Sequence, residues 1–64
     1  MKLKEIRLAK GLSVPALSRQ SNVPVRTIQD LEKRGDGRLS TLVKLAKALN
    51  VSLDEIAGIN KKDA

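Results

Sequence analysis

Apolar residues along this chain recur at helical spacing, and each break in that spacing falls at Gly, Asn, Ser or Pro. Leu3, Ile6 and Ala9 lie on one face, and Gly11 supplies a left-handed stop after Lys10, which predicts a first helix over about residues 2–10. Ser13 is placed to cap a second helix over about 14–20, with Pro15 tolerated in the first turn because the amide it lacks has no partner there. Asn22 suits a left-handed turn, so the chain hinges on Ser21, Asn22 and Val23 before Pro24 presets a third helix over about 25–34. Gly35-Asp36-Gly37 then breaks the pattern. Leu39, Leu42, Leu45, Ala46 and Leu49 give a strong amphipathic fourth helix over about 40–49. Ser52 and Glu55 match a capping box at the start of a short fifth helix, about 53–58. No segment alternates like a strand. The expected fold is therefore all-α, a five-helix bundle over residues 1–59, and residues 60–64 are too polar to pack and are expected to fray.

Turning the third helix at about 100° per residue separates its faces. Ile28 and Leu31 define the buried side, Arg26, Gln29, Asp30 and Lys33 the far side, and Val25 and Thr27 the flanks. An exposed helix with this set suits the major groove of DNA, where Arg bridges guanine, Gln bridges adenine, Asp accepts from cytosine and Val meets a thymine methyl. The competing reading is an ordinary Arg26–Asp30 ion pair, four residues apart, on a solvated face. Two short helices joined by a tight turn favour the first reading, because that arrangement fixes the second helix of the pair at a protruding angle.

Charge and composition narrow the partner. Thirteen Lys plus Arg against seven Asp plus Glu give the 64 residues a net charge of +6, a field that draws polyanions. Phe, Tyr and Trp are absent, so there is nothing on which to stack unpaired bases, and double-stranded DNA is favoured over single strands. Cys and His are absent too, which removes disulfides, thiolate chemistry and the commonest zinc ligands; no metal, cofactor or small-molecule ligand is expected. The remaining Ser, Thr, Lys and carboxylates show no convergent catalytic set, so an enzyme is not expected. No apolar run approaches the roughly 18 residues of a membrane span, and the start Met1-Lys2-Leu3-Lys4-Glu5 does not continue as a signal peptide, so a cytoplasmic location is expected.

Residues Leu3 to Ile56 resemble the helix-turn-helix domain of the phage lambda repressor and Cro family of bacterial and phage regulators. Gly11-Leu12-Ser13 looks like that family's entry into helix two, Leu17, Val23, Ile28 and Leu31 match its core positions, and Leu42 to Leu53 is similar to its helix four and exit. Ser18 stands where Ala is usual, and Asn22 where Gly is usual. The resemblance also implies a structural ion pair between Arg7 and Glu32. Three departures bear on DNA binding. Val14 replaces a polar residue that commonly holds a phosphate. Pro24 replaces the usual Ser or Thr cap of helix three, leaving Asn22 as a candidate local cap. The Gly35 to Arg38 loop is about one residue short of the common pattern and lacks its Pro.

Together these readings imply a sequence-specific DNA-binding transcriptional regulator, a repressor in its simplest form. Val25, Arg26, Gln29 and Asp30 would contact bases, and Arg19, Thr27, Lys33, Arg34, Arg38 and Lys44 would contact phosphates. One small domain reads few base pairs, so a homodimer on an inverted repeat is expected, with Leu53, Ile56 and Ile59 as the contact. The alternative is a protein-binding module of the same fold, an antitoxin or regulatory subunit, meeting its partner through Leu8, Val14 and Ile59.

Overall fold

Five helices account for the secondary structure of residues 1–58, the part of the chain that the computed structural model describes: α1 (Leu3–Ala9), α2 (Val14–Ser21), α3 (Val25–Arg34), α4 (Leu39–Leu49) and α5 (Leu53–Ala57). No strand occurs among the described residues, and the fold is all-α. Helix α2 packs on α3 and α4, α5 closes against α4, and α1 bridges α3 and α5. The backbone N–H of Lys2 donates to the carbonyl of Ile56 at 2.7 Å, which ties the first turn of the chain to the last helix.

The core is Leu3, Leu17, Val23, Ile28, Leu31, Leu45, Ala46, Leu49 and Ile56, with Ile6, Leu12, Val14, Leu42, Ala48, Val51 and Leu53 packed around it. Every helix contributes, so no pair of helices can be removed without exposing apolar surface that the others need to cover. Among the described residues, every buried side-chain nitrogen and oxygen has a hydrogen-bond partner.

The caps explain where the helices begin and end. Ser13 Oγ accepts from the N–H of Ala16 at 3.2 Å and starts α2. The expected capping box is present at α5: Glu55 N–H donates to Ser52 Oγ at 3.1 Å, and Ser52 N–H donates to Glu55 Oε1 at 3.0 Å. Asn22 lies in the left-handed region at φ 62° and ends α2, as its side chain permits.

Several expectations need correction. Ser21 belongs to α2 instead of the hinge, because its hydroxyl donates back to the carbonyl of Leu17 at 2.7 Å and also accepts from the N–H of Val23 at 3.3 Å. Helix α3 has no side-chain cap, so Asn22 does not serve as one; Pro24, with φ −57°, sets the helix start through its backbone alone. Leu39 opens α4 but is 67% exposed, since at the first turn it points past the end of the apolar stripe that Leu42 and Leu45 continue inward. Ala9 is likewise exposed, and the second inward position of α1 is taken by Arg7. Ile56 is fully buried in the core and is not a surface for a second copy, whereas Leu53 is half-buried. Ile59 and the tail 60–64 lie outside the described residues.

The connection from α3 to α4 owes its path to Gly37, whose value is close approach and not backbone freedom. A Cβ placed there would overlap the Cδ2 of Leu31, and Leu31 is 1% exposed in the core. Gly37→Ala is expected to cost about 1 to 3 kcal/mol through overpacking, lowering the thermal midpoint by about 4 °C or more. Asp36→Ala, one residue away and exposed, should change stability by no more than about 0.5 kcal/mol. Equal unfolding midpoints for the two variants would contradict this role for Gly37.

Candidate nucleic-acid interface

Helix α3 carries its polar face to solvent because Ile28 and Leu31, three residues apart, are fixed inward by the core. That leaves Arg26, Gln29, Asp30 and Lys33 exposed, as the turn of the helix requires, with Val25 36% exposed at the outer edge and Thr27 half-buried at the flank. A cleft runs along each side of α3. One, of about 430 Å³, is lined by Thr27, Asp30, Leu31, Arg34, Asp36, Gly37, Arg38 and Thr41. The other, of about 440 Å³, is lined by Lys4, Arg7, Val14, Gln29, Glu32 and Lys33. The helix is thus a ridge between two grooves, with Arg26 on its crest, Asp30 toward one groove and Gln29 and Lys33 toward the other. Among the described residues, no neighbouring segment covers it.

The ion pair that would have made this face inert is not formed. Among the described residues, Asp30 makes no ion pair with Arg26 or Arg34, although each lies four residues away. The guanidinium groups and the carboxylate therefore remain available to an external partner. Arg19, Arg34, Arg38 and Lys44 are also exposed; Arg34 and Arg38 share a cleft with Thr27, while Arg19 and Lys44 line neither cleft.

Behind the ridge sits the ion pair that the sequence resemblance implied. Arg7 Nε donates to Glu32 Oε2 at 2.7 Å and its second terminal nitrogen donates to Glu32 Oε1 at 3.1 Å, so the two planar groups meet in a fork. The remaining guanidinium nitrogen donates to the carbonyl of Leu12 at 2.8 Å. Arg7 is 7% exposed, and one side chain thereby joins α1, the entry to α2 and the middle of α3. The hydrogen bonds that Arg7 donates to Glu32 raise the Arg7 pKa, burial works against the rise, and the negative charge of Glu32 adds to it. With its pKa raised, Arg7 is cationic at neutral pH, and the part of the stability that its charge supplies is lost on the alkaline side only as pH rises through that raised pKa, in strong alkali.

A second lock holds the turn between α2 and α3. The hydroxyl of Ser18 donates to the carbonyl of Val23, five residues on, and fixes the direction in which the chain leaves α2. Sequence reading noted Ser18 only as a departure from Ala; a serine on a helix has several possible partners, and nothing local selects this one. Val14, offered by sequence as a partner-facing residue, is half-buried and packed on the core, which leaves Leu8, 57% exposed on α1, as the described apolar residue available for that alternative.

Five short helices among the described residues, the third facing outward after a three-residue turn, form a helix-turn-helix domain. The model of the helix-turn-helix family, of Cro/C1 type, matches residues 3–56, and the chain belongs to that family. It is a family of DNA-binding regulatory domains and not of enzymes. No curated protein and no solved structure matches the chain. Among the described residues no helix is long and apolar enough to cross a membrane.

Removing one half of the Arg7–Glu32 pair strands the other at low exposure and frees the Leu12 carbonyl. Arg7→Ala is expected to cost about 3 to 5 kcal/mol, which is comparable to the roughly 3 to 5 kcal/mol that a core of this size supplies. The variant should be largely unfolded by circular dichroism at room temperature. Replacing both partners with apolar residues, Arg7→Met with Glu32→Leu, should restore helical signal, since no charge is then left buried alone. A folded Arg7→Ala protein would show that the pair is dispensable.

Proposed function

We propose that this domain is a sequence-specific reader of double-stranded DNA and a transcriptional regulator, acting as a repressor by occupying its site. The observation that carries this is the exposed, unpaired polar face of α3 standing between two clefts. An α-helix with its side chains is about 10 to 12 Å across, and the B-DNA major groove is about 12 Å wide, so a helix that projects in this way can enter. Arg26, Gln29, Asp30 and Val25 then face base edges, with Arg26 suited to the two acceptors of guanine, Gln29 to adenine, Asp30 to the amino group of cytosine and Val25 to a thymine methyl.

Affinity comes from the phosphates on either side. Arg34, Arg38 and Thr27 border one cleft and Lys33 the other, while Arg19 and Lys44 extend the cationic surface, so binding releases counterions irrespective of sequence. Asp30 opposes that gain. A carboxylate on the reading face is repelled by every phosphate and compensated only where a base donor meets it, which favours the cognate site over random sequence.

One domain spans few base pairs, and two copies on an inverted repeat would place their reading helices about 34 Å apart. Such pairing must use surface other than Ile56; Leu53 is the described residue that remains for it. DNA as partner also fits a location in the compartment that holds the DNA.

Two measurements divide these roles. Arg26→Ala is expected to lose about 1 to 3 kcal/mol on the preferred duplex while leaving random duplex nearly unaffected, and Arg38→Ala to weaken both alike. Equal losses on both duplexes for Arg26→Ala would remove it from base reading. Binding of the unsubstituted protein to random duplex over a salt series should fall steeply as salt rises; a flat response would favour the protein-binding alternative, for which Leu8 offers an exposed contact.

A further inference from the structure

The cleft on the α1 side of the ridge has a charge that the reading of α3 leaves unused. Its lining contains two carboxylate–guanidinium partners, Arg7 and Glu32, that cancel each other through the fork described above. It also contains two lysines, Lys4 and Lys33, both exposed and neither in an ion pair among the described residues. The cleft is therefore cationic by two uncompensated charges that share one space of about 440 Å³. Its inner wall is formed by Arg7, Glu32 and Val14, which are buried or half-buried, and its rim by Lys4, Gln29 and Lys33.

Val14, at the first position of α2, is half-buried against the core and lines this cleft with an apolar side chain. No hydrogen-bonding side chain of α2 lines this cleft. Lys4 approaches the same space from α1, and two like charges facing one cleft repel each other until an anion lies between them.

We propose that this cleft seats a phosphate of the DNA backbone between Lys4 and Lys33, so that Lys4, on α1, supplies the anchor that Val14 cannot. The inference rests on the reading of α3 as the DNA-contacting helix: Gln29 and Lys33 belong both to that reading face and to this cleft, and a phosphate held there belongs to the strand bordering the groove that α3 enters. Lys4 is a positioning contact. It touches the backbone and not a base, and it sets how α3 sits in the groove by holding the strand on the α1 side, as Arg38 and Arg34 hold it on the other.

The test compares Lys4→Gln, Lys4→Arg and a control, Lys47→Gln, in which an exposed lysine lining neither cleft is neutralised. Binding to random duplex and to a duplex selected for tight binding is followed over a salt series. Loss of one phosphate contact should reduce the slope of log K against log salt by about 0.9, so that the fall in affinity between about 50 and 200 mM salt becomes about 3.5-fold smaller than for the unsubstituted protein. Lys4→Gln should show this on both duplexes, Lys4→Arg should retain the original slope, and Lys47→Gln should leave it nearly unchanged. A slope in Lys4→Gln equal to that of Lys47→Gln overturns the assignment of Lys4 while leaving the reading of α3 intact, whereas absence of salt-dependent binding by the unsubstituted protein overturns both. Inorganic phosphate at matched ionic strength gives a further arm: thermal protection of the unsubstituted protein that disappears in Lys4→Gln, together with an unchanged DNA salt slope in that variant, would assign the cleft to a free anion and overturn the assignment to DNA.

Discussion

The buried fork between Arg7 and Glu32 is the constraint on which the rest of this domain depends. A 64-residue chain without aromatic side chains, cysteines or histidines has little with which to fix the orientation of its helices. Leucine and isoleucine pack well but slide easily, and a core built from them alone specifies orientation weakly. The guanidinium of Arg7 has no such freedom, because its donors are committed to both oxygens of Glu32 and to the carbonyl of Leu12. Its planar geometry sets α3 against α1 and the start of α2 at once. The inward face of α3 is thus held at a third position beyond Ile28 and Leu31, and the outward face follows from that.

Small polar groups complete the orientation at the turn. Ser18 reaches the carbonyl of Val23, Ser21 bridges Leu17 and the N–H of Val23, and Asn22 takes the left-handed conformation between them. Each hydrogen bond adds on the order of 1 kcal/mol, but their combined effect is geometric, since they leave the chain a single direction in which to start α3. Pro24 then removes an amide that would have needed a cap. With both ends of the reading helix fixed by its neighbours, its exposed side chains arrive preorganised, and less ordering entropy opposes binding.

How much of this was legible in the sequence depended on whether the signal was local. The five helices follow from apolar spacing and caps within one or two residues at each end, and the capping box at Ser52 and Glu55 and the left-handed Asn22 came from residue chemistry that needs no tertiary partner. The exposed set Arg26, Gln29, Asp30 and Lys33 followed from Ile28 and Leu31 by rotation alone. Long-range choices were less readable. Leu39 continued the apolar stripe on paper and yet lies outside the core, because only the packing of α4 decides where its first turn falls. Ile56 read as a contact for a second copy, and its complete burial places it in the core instead. Gly37 read as a flexible break, whereas the nearness of Leu31 gives it a steric reason. The cleft that brings Lys4 beside Lys33 joins residues nearly thirty apart in sequence and has no local signature.

The account stands on α3 meeting DNA with its exposed face while the core face stays closed. Titrating duplex DNA into the isotope-labelled protein and following backbone amide resonances tests this residue by residue. The account predicts that the largest shifts fall on residues 25–34 and on the segments bordering the two clefts, with the resonances of α5 nearly unmoved. Shifts concentrated on α5 and the outer face of α1, with α3 unaffected, would contradict it.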